Sequence, residues 1–464
     1  MRCIALADGL TTALTARGWR CSFVVAEPGA ETVRRLAPRH SVLALPQTAA
    51  LDAASLKSQS GCDLLIVDHY GWSAGQERAC RGWARRILVI DDLCDRDHDC
   101  DVLLDVSLER TRADYAAYVP PACQVLTGPG YALLRAEFAR QRMSAQREPV
   151  KAAVERVFVN FGLSDVPNYS ERTLEALAAM PFNGRVDLVL GRDAPHLARV
   201  QAARRSNAQL HVEPADIASL MAAADFAIGA GGGSAWERCC LGLPSLVVSG
   251  APNQDHNART LAARGACELA QDADFAAALA RLLRDPQRVA QMALIAATVT
   301  DGRGAQRMTL ALDPEMTRQG ARVTLRRVTA DDAAQMLDWQ RHPETRRHAR
   351  NPDIPSPEEH RAWIARKLAD PGCVLDLIEH DGAPAGVVRL DRIAGTKGCE
   401  VSIYIAPELY GRGVGTAALA ALRRLVPERE FVAHVLPDNT TSHALFTKAG
   451  YRVENGVYVS RPED

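Results

Sequence analysis

Short apolar runs alternate with longer stretches of helical periodicity along the first two thirds of the chain. Such alternation is typical of a parallel sheet, because each pair of neighbouring parallel strands must be joined by a crossover, usually a helix. The runs fall into two groups separated by a mostly polar interval, so each group predicts its own α/β lobe. The runs cover residues 21–25, 64–68, 87–90 and 102–104, and then 157–160, 186–190, 210–212, 226–228 and 246–248.

Two polar intervals, at residues 140–151 and 300–320, predict linkers between folding units. Beyond the second interval the pattern changes to short alternating strands. Two of these strands meet at His380-Asp381-Gly382, which is typical of a β-hairpin. We therefore expect three domains, covering residues 1–145, 150–305 and 320–464.

Composition is consistent with this organisation and argues against some classes of binding partner. A chain of 464 residues is long enough for three domains. Its 55 Lys and Arg balance 56 Asp and Glu, so no basic field favours nucleic acid. No apolar segment approaches the roughly 20 residues that span a bilayer, and no secretory signal is present, so we expect no membrane partner. The 12 cysteines match no zinc spacing, so we expect a reducing cytoplasm and no metal.

A glycine turn follows the apolar run at residues 226–228. The run stops at Gly229, and Gly231, Gly232 and Gly233 lead into a helical pattern that opens at Ser234. A strand, a glycine turn and a helix start together direct backbone N–H groups at an anion. The segment therefore predicts a phosphate-binding turn.

The next apolar run, at residues 246–248, leads into a polar loop that contains Asn253 and Gln254. Two consecutive strand ends that face one crevice predict a nucleoside diphosphate site. Glu237, one turn into the preceding helix, can accept both hydroxyls of a ribose. Alternatively, Ser234 and Glu237 form a capping box that stabilises the helix without any ligand.

The sequence GAGGGSAWERCCLGLPSLVV resembles the nucleotide-binding lobe of the UDP-sugar hydrolases of pseudaminic acid biosynthesis. The resemblance extends through LLIVDHYGW, ILVIDDLCDRDHDCDVLLD, GPGYALLRAEF and VFVNFGLSD, and covers residues 1–300. It implies the two-lobed glycosyltransferase-B fold, built from two Rossmann-like lobes. It also implies hydrolysis of a UDP-diacetamido-trideoxyhexose to UDP and free sugar, without a metal. His69 and Tyr70, which follow the strand-like run LLIV at the cleft, are candidate catalytic residues in contact with the sugar, and Ser164 and Asp165 are expected to bind the substrate.

In that family a histidine in a glycine-rich loop, just ahead of a Met-Arg-Cys, is thought to activate the attacking water. The present chain begins Met1-Arg2-Cys3. We therefore expect about 20 further residues, with the first strand and this loop, to be encoded upstream, because a parallel sheet without its central strand packs poorly. The alternative is a lobe that has lost its catalyst. Asp91 and Asp92, which follow another predicted strand, are either cleft residues or ordinary loop acids.

The C-terminal part contains a second glycine loop. The alternating strand at residues 400–405 runs into Tyr410-Gly411-Arg412-Gly413-Val414-Gly415, and a helix follows directly. A further strand at residues 431–435 then leads into Asp438-Asn439 and a helix that ends near Phe446. Consecutive N–H groups at such a helix start can bind a pyrophosphate.

This order of elements, over residues 320–460, resembles the GNAT acetyltransferases. The resemblance implies a GNAT α/β domain that binds acetyl-CoA as cosubstrate where two neighbouring strands separate. The residues it assigns to acetyl-CoA are Ile403 and Ile405 for the pantetheine arm, Arg412, Gly413, Val414, Gly415 and Thr416 for the pyrophosphate, and Asn439. The upstream pattern Glu358-Glu359-His360 with Trp363 resembles members that acetylate amino sugars or protein N-termini.

Two departures from the family concern chemistry. Tyr410 stands where the loop usually begins with Arg or Gln, and Phe446 stands where many members have the Tyr that protonates the departing thiolate. Solvent or another group must therefore supply that proton. The acceptor amine must also lose a proton. We expect Glu400, at the start of the separating strand, to be the base, with His342 and His360 as alternatives.

Together these features predict a bifunctional enzyme. It would acetylate the 4-amine of a UDP-4-amino-4,6-dideoxy sugar and hydrolyse the resulting UDP-2,4-diacetamido-2,4,6-trideoxyhexose. A glycosyltransferase on the same two lobes is the alternative enzyme, because fold does not decide the acceptor. A third possibility is a catalytically dead UDP-sugar-binding module joined to the acetyltransferase. The sugar stereoisomer and the number of chains in the assembly stay open.

Overall fold

The computed structural model of the protein describes residues 1–14, 19–27, 29–45, 61–144, 153–250, 252–349 and 353–462. No helix within these ranges is long and apolar enough to cross a membrane. The helices are α1 (Arg2–Leu14), α2 (Gly29–Leu36), α3 (Ala74–Cys80), α4 (Ala136–Ser144), α5 (Tyr169–Ala178), α6 (Leu197–Ala203), α7 (Ile217–Ala222), α8 (Ser234–Cys240), α9 (Pro252–Ala263), α10 (Phe275–Leu283), α11 (Pro286–Val299), α12 (Gly304–Leu312), α13 (Ala333–Arg341), α14 (Pro343–Arg346), α15 (Pro357–Ala369), α16 (Val414–Leu425) and α17 (Thr440–Lys448). The strands are β1 (Ser22–Ala26), β2 (Ser41–Leu45), β3 (Leu65–Val67), β4 (Ile87–Ile90), β5 (Val102–Asp105), β6 (Gln124–Thr127), β7 (Arg156–Asn160), β8 (Arg185–Leu190), β9 (Ala208–Val212), β10 (Phe226–Ala230), β11 (Ser245–Val248), β12 (Glu268–Ala270), β13 (Glu315–Met316), β14 (Arg322–Arg327), β15 (Cys373–His380), β16 (Ala383–Arg392), β17 (Gly398–Ile405), β18 (Glu430–Ala433), β19 (Arg452–Glu454) and β20 (Val457–Ser460).

The strands of the first lobe form two separate parallel sheets, β1-β2 and β3-β4-β5-β6. The residues of β4 and β5 are buried throughout, as expected for parallel strands covered on both faces. Leu6 and Leu10 of α1 pack into the same core as Leu88 and Leu104. Helix α1 therefore lies against the four-stranded sheet.

The second lobe is a six-stranded parallel sheet with the order β12-β11-β10-β7-β8-β9. The chain builds outward from β7 to β9 on one side and from β10 to β12 on the other. The strand order therefore reverses between β7 and β10, and in open α/β sheets ligands bind in the crevice beyond the carboxyl ends of such strands. The predicted glycine turn follows β10, so it lies at this reversal point.

The interval at residues 300–320 is not a linker, and this prediction was wrong. It contains helix α12, which is largely buried, together with Arg303 and Arg307, which are almost completely buried. Arg307 pairs with Asp301 and, across to β15, with Asp376. The polar composition reflects buried ion pairs between folding units. The other predicted linker is helical as far as Ser144, and residues 145–152 lie outside the described part of the chain.

The third unit is an eight-stranded mixed sheet with the order β13-β14-β15-β16-β17-β18-β20-β19. Side chains that alternate along β15 belong to two cores, one under α13 and α15 and the other under α16. The predicted hairpin is confirmed, because Asp381 and Gly382 both have positive φ angles and join β15 directly to β16. Neighbouring strands are antiparallel except for β17 and β18, which are parallel.

Candidate functional sites

The glycine turn after β10 is held by a buried arginine. Arg238 of α8 donates hydrogen bonds to the carbonyl oxygen of Ala230 (2.7 Å) and to Oγ of Ser234 (3.1 Å). Gly229 has no space for a side chain, because a Cβ there would collide with the carbonyl oxygen of Asn160 and with the Arg238 guanidinium. The start of the turn is therefore packed closely against the end of β7. Sequence reasoning missed Arg238. It is the first fully buried charged residue after the glycines, but its burial is visible only in the structure.

The alternative interpretation of Ser234 and Glu237 as a capping box was wrong. Gly233 precedes the first helical residue, and no side chain caps α8. Ser234 instead accepts a hydrogen bond from Arg238. Glu237 is partly buried, and burial raises the pKa of this carboxyl to about 7, against the opposing effect of the nearby Arg135 guanidinium. Glu237 is therefore not explained by helix capping.

Arg135 and Glu137 of the first lobe lie close enough to Glu237 to affect the pKa of its carboxyl. Arg135 Nη2 lies 3.0 Å from Glu137 Oε1, and burial raises the pKa of Glu137. Two carboxyl groups and one guanidinium thus lie near one another beside α8, and such groups suit ribose hydroxyls and a diphosphate. Sequence reasoning did not single out these two residues, although both lie in the GPGYALLRAEF segment.

The predicted polar loop after β11 is the start of helix α9, which corrects the sequence interpretation. Amides and Asp favour loops, but here they follow Pro252, which suits the first turn of a helix. The Gln254 side chain lies over the glycine turn, since a Cβ at Gly232 would be 3.2 Å from Gln254 Nε2. Gln254 Oε1 is buried and has no hydrogen-bond partner among the described residues. The Asn253 side chain lies outside the described residues.

Helix α9 also contacts the first lobe. His256 Nε2 lies 3.0 Å from the carbonyl oxygen of Leu108, and Asn257 Oδ1 accepts a hydrogen bond from the Leu108 amide (3.3 Å). Leu108 follows β5, so these contacts join the carboxyl ends of the two sheets. The two residues therefore connect the start of α9 to the first lobe, and sequence reasoning gave neither of them this role.

The carboxyl ends of β3 and β4 bring together acids and one arginine. Arg2 pairs with Asp68 (2.6 Å) and with Asp92 (2.9 Å). The Tyr70 hydroxyl donates to Asp92 (3.3 Å), while about half of the Tyr70 side chain stays exposed. His69 accepts a hydrogen bond from the Gly71 amide through Nδ1. The structure therefore brings Tyr70 and Asp92 together.

Asp91, by contrast, is a structural residue. It is buried, accepts a hydrogen bond from Tyr115 (2.8 Å) and pairs with Arg96 (2.9 Å). Tyr115 also donates to Asp105 (2.9 Å). These contacts satisfy the buried charge of Asp91 beneath the site.

Ser164 and Asp165 follow β7, at the carboxyl edge of the six-stranded sheet of the second lobe. The buried Asp165 carboxylate accepts hydrogen bonds from the amides of Tyr169 (3.0 Å) and Ser170 (2.8 Å). It thereby binds the first amides of α5, while Ser164 is exposed. Both carboxylate oxygens of Asp165 already accept hydrogen bonds from the protein. A contact of Asp165 with substrate therefore stays a prediction.

In the third unit, β17 and β18 pair only at their first residues. Residues Gly398–Glu400 match Glu430–Val432, and β17 then continues to Ile405 beside β16 alone. Beyond Glu400, on the side of β17 that faces β18, the backbone has no paired strand in the described part of the chain. The two predicted pantetheine contacts, Ile403 and Ile405, lie in this section.

The glycine loop ends in a left-handed residue. Gly411 and Gly413 have φ angles of 75° and 82°, and Gly413 directly precedes α16. A side chain at Gly413 would be strained, because L residues rarely adopt such angles. The first amides of α16, at Val414, Gly415 and Thr416, have no acceptor within their own helix. Tyr410 hydrogen-bonds Thr345 (3.0 Å), outside the turn itself.

Two predicted residues of α17 have structural contacts. Asn439 Oδ1 accepts a hydrogen bond from the Ser442 amide (3.0 Å) and caps the helix. Phe446 is buried, with its ring 5.1 Å from that of Tyr451 and 5.6 Å from that of Tyr458. The Tyr458 hydroxyl lies 3.0 Å from Nδ1 of His443.

Of the three predicted bases, the structure places Glu400 at the point where the strands separate. Glu400 Oε1 lies 3.0 Å from Nδ1 of His434, a residue that sequence reasoning missed. His342 accepts a hydrogen bond from the Glu344 amide at the start of α14. His360 is buried and stacks on Trp363, and burial lowers its pKa.

Two protein families match separate parts of the chain. The acetyltransferase (GNAT) domain family matches residues 322–452, and the glycosyltransferase family 28 C-terminal domain matches residues 197–308. The third unit has a GNAT-type acetyltransferase fold. The second match, together with the parallel sheets, supports lobes of the glycosyltransferase-B type.

The N-terminal region resembles a UDP-sugar hydrolase. UDP-2,4-diacetamido-2,4,6-trideoxy-beta-L-altropyranose hydrolase of Campylobacter jejuni is 27% identical over 229 residues, which cover 49% of this chain and 80% of the relative. Spore coat polysaccharide biosynthesis protein SpsG of Bacillus subtilis is 28% identical over 205 residues, covering 42% of this chain and 60% of the relative. The ribosomal L7/L12 alpha-N-protein acetyltransferase RimL, solved with coenzyme A, is 19% identical with a TM-score of 0.28, covering 30% of this chain and 93% of that one.

Proposed function

We propose that the chain is a bifunctional enzyme of nucleotide-amino-sugar metabolism. Its C-terminal domain acetylates the 4-amine of a UDP-4-amino-4,6-dideoxy sugar, with acetyl-CoA as donor. Its two N-terminal lobes hydrolyse the resulting UDP-2,4-diacetamido-2,4,6-trideoxyhexose to UDP and free sugar. The observation that supports the proposal is the presence in one chain of a region similar to a UDP-sugar hydrolase and a domain of the GNAT family. The product of the first reaction is the substrate of the second.

In the hydrolytic step, UDP is a stabilised leaving group that needs little protonation. The amides of the glycine turn and the Arg135 guanidinium would neutralise its diphosphate, and Glu237 would accept the ribose hydroxyls. Gln254, whose Oε1 is buried beside the turn, would complete the nucleotide contacts. Tyr70 and Asp92 would face the sugar from the first lobe, where a water must be oriented for attack at the anomeric carbon.

In the acetyl-transfer step, the gap between β17 and β18 would hold the pantetheine arm. The glycine loop at Gly411 and Gly413 would bind the pyrophosphate at the start of α16. With acetyl-CoA bound in this way, the thioester would lie near Glu400, where the two strands first separate. The acceptor amine would lose its proton at the same point.

A glycosyltransferase is the second candidate for the N-terminal lobes. It is favoured by the match of residues 197–308 to a glycosyltransferase family. Such an enzyme would use the same donor site and would move the sugar to an acceptor other than water. It predicts UDP release that depends on an added acceptor.

The deciding experiment is to measure UDP release from the UDP-diacetamido-trideoxyhexose in the absence of any acceptor. We compare the present chain with one extended by the residues encoded ahead of Met1. Release by either form supports a hydrolase, and release by the extended form alone shows that turnover needs the added residues. No release by either form, together with measured UDP binding, overturns the hydrolase and favours the transferase or a binding module.

A further inference from the structure

His434 lies beside Glu400 where β17 and β18 separate. Its Nδ1 is 3.0 Å from Glu400 Oε1. Glu400 is matched with Val432 in the parallel ladder, and His434 comes two residues after Val432. Since side chains alternate along a strand, Glu400 and His434 are on the same face of the sheet. About half of the His434 side chain is exposed (52%), compared with 24% for Glu400.

The contact determines which nitrogen of the imidazole carries the proton. An ionised carboxylate can only accept hydrogen bonds, so Nδ1 must donate. The neutral imidazole then keeps its lone pair on Nε2. A carboxylate that orients a histidine in this way also stabilises the imidazolium that forms when Nε2 accepts a proton.

We propose that His434 is the base that deprotonates the acceptor amine, and that Glu400 is a positioning residue that orients it. The proposal rests on the proposed acetyl transfer and changes the role that the sequence predicted for Glu400. His434 is the more exposed partner and belongs to the edge of the gap, so an amine that approaches the thioester meets the imidazole before the carboxylate.

The other charges on this face compensate one another. Asp391 is matched with Glu400 across β16 and β17. Lys367 of α15 (2.6 Å) and Arg389 of β16 (2.6 Å) both pair with Asp391. On the far side, β20 places Val459 opposite Val432. Beyond β18, Asp438 lies 3.7 Å from His348. Among these groups, Glu400 is the carboxylate in contact with His434.

The proposed step balances as follows. The amine enters as an ammonium ion, and His434 Nε2 takes one of its protons. The nitrogen then forms a bond to the carbonyl carbon of the thioester, and the carbon–sulfur bond breaks with its electron pair going to sulfur. The second proton lost by the nitrogen balances protonation of the CoA thiolate through solvent. The imidazolium returns its proton to solvent.

The test measures acetyl transfer by the full chain, as thiol release from acetyl-CoA with the UDP-4-amino-4,6-dideoxy sugar as acceptor. His434→Gln should lower kcat/KM by about 100-fold to 10,000-fold, the usual contribution of a general base. Glu400→Gln should cost about tenfold, because the amide oxygen still accepts from Nδ1. His380→Ala, in the distant β15–β16 hairpin, is the matched control and should retain the wild-type rate. A larger loss in Glu400→Gln than in His434→Gln would show that the carboxylate is the base and overturn the proposal.

Two further readouts separate catalysis from structure. Added imidazole should restore activity to His434→Ala in proportion to its unprotonated fraction, while acetyl-CoA affinity stays at the wild-type value. Absence of rescue in a variant that still binds acetyl-CoA counts against the proposal. Nitrogen NMR of labelled histidines should show the Nδ1–H tautomer for His434 at alkaline pH, and loss of that preference in Glu400→Ala.

The tautomer measurement does not depend on the acceptor. If the wild-type chain acetylates no UDP-amino sugar, the proposed function fails. The Nδ1–H tautomer would then still support the oriented base, and the Nε2–H tautomer would overturn it.

Discussion

Glu237 is the side chain on which the proposed ribose contact depends. It lies in the first half of α8, it takes no part in capping, and burial raises the pKa of its carboxyl to about 7. A carboxylate must be ionised to accept both hydroxyls of a ribose. Near neutrality Glu237 is therefore divided between an ionised form that could accept both hydroxyls and a protonated form that could not.

We expect the affinity of the wild-type chain for UDP to fall as the pH is lowered from 8 to 6, by at most about tenfold per unit for a single proton. Glu237→Gln resembles the protonated form, so it should bind UDP about 10-fold to 100-fold more weakly at pH 8, which corresponds to the roughly 1.5–3 kcal/mol of hydrogen bonds to a charged group. It should also lose the part of the pH dependence that belongs to this carboxyl. Isothermal titration calorimetry at pH 6, 7 and 8 measures both effects.

Glu175→Gln, on the exposed face of α5, is the control and should follow the wild type. Titration of the UDP phosphates is common to all three proteins and cancels in the comparison. Equal affinities of the wild type and Glu237→Gln at pH 8 would remove Glu237 from the site. Acetyl transfer should be unchanged in both variants.

At the scale of elements, both proposed phosphate sites join a strand to a helix through glycines, but by different means. After β10 the glycines make room for neighbours, since Gly229 lies against Asn160 and Gly232 lies against Gln254. After β17 the backbone conformation requires glycine, because Gly413 has a φ angle of 82°. Substitutions in the two turns should therefore fail for different reasons.

Gly413→Val should weaken acetyl-CoA binding by at least tenfold, because a β-branched residue drives the backbone out of the left-handed region and moves the first amides of α16. Gly382→Val is the matched control, since Gly382 has a φ angle of 83° in the β15–β16 hairpin. Both variants should lose about 1–2 kcal/mol of stability from backbone strain. Only the first should lose affinity for acetyl-CoA, measured by calorimetry. Equal affinities in the two variants would show that the loop does not hold the pyrophosphate.

At the scale of the whole molecule, buried arginines join the acetyltransferase domain to the second lobe. Arg307 is fully buried between Asp301 (2.6 Å) and Asp376 of β15 (2.8 Å), and it holds the pKa of Asp301 well below its usual range. Arg303 donates to the carbonyl oxygen of Leu425 (2.8 Å) and pairs with Glu428 (2.7 Å). The domains are therefore packed together through charged groups that would be costly to bury alone.

Arg307→Met should lower the free energy of unfolding by about 3–5 kcal/mol, because it leaves two buried carboxylates without their cation. Urea denaturation followed by circular dichroism, by UDP binding and by acetyl-CoA binding should give coincident transitions in the wild type. Arg461→Met, which removes pairs with Glu454 and Glu430 from an exposed arginine, should change the midpoint little. Separate transitions for the two binding activities in the wild type would show that the units unfold independently.

Much of the fold could be predicted from the sequence, and particular misses have physical causes. The strands were predictable because β-branched and apolar residues occur in runs of strand length, and the hairpin at Asp381-Gly382 because few residues tolerate positive φ. Residues 300–320 were misjudged because a charged, glycine-containing stretch has the same composition whether its arginines face water or buried carboxylates. The start of α9 was missed because Asn and Asp are common both in loops and at helix starts.

The candidate sites were predictable only in part. The glycine turns and Glu400 occur in local patterns, and the structure places them at a strand reversal and at a strand separation. Arg135 and Glu137 were not singled out as site residues, because their electrostatic effects on Glu237 act between positions about one hundred residues apart, where no local spacing applies. Asp165 was chosen from its motif, yet its carboxylate binds the amides of its own helix.

The sequence by itself determined most of the strands, the division into α/β lobes and a GNAT-type domain, and the positions of the two glycine turns. These features depend on the periodicity and conformational limits of residues close together in the chain. Only the tertiary structure decided that Tyr70 meets Asp92, that His434 meets Glu400 and that Arg307 is buried between Asp301 and Asp376. Each of these contacts joins side chains across strands or domains, and its strength depends on burial and exact partnering that arise when the chain packs.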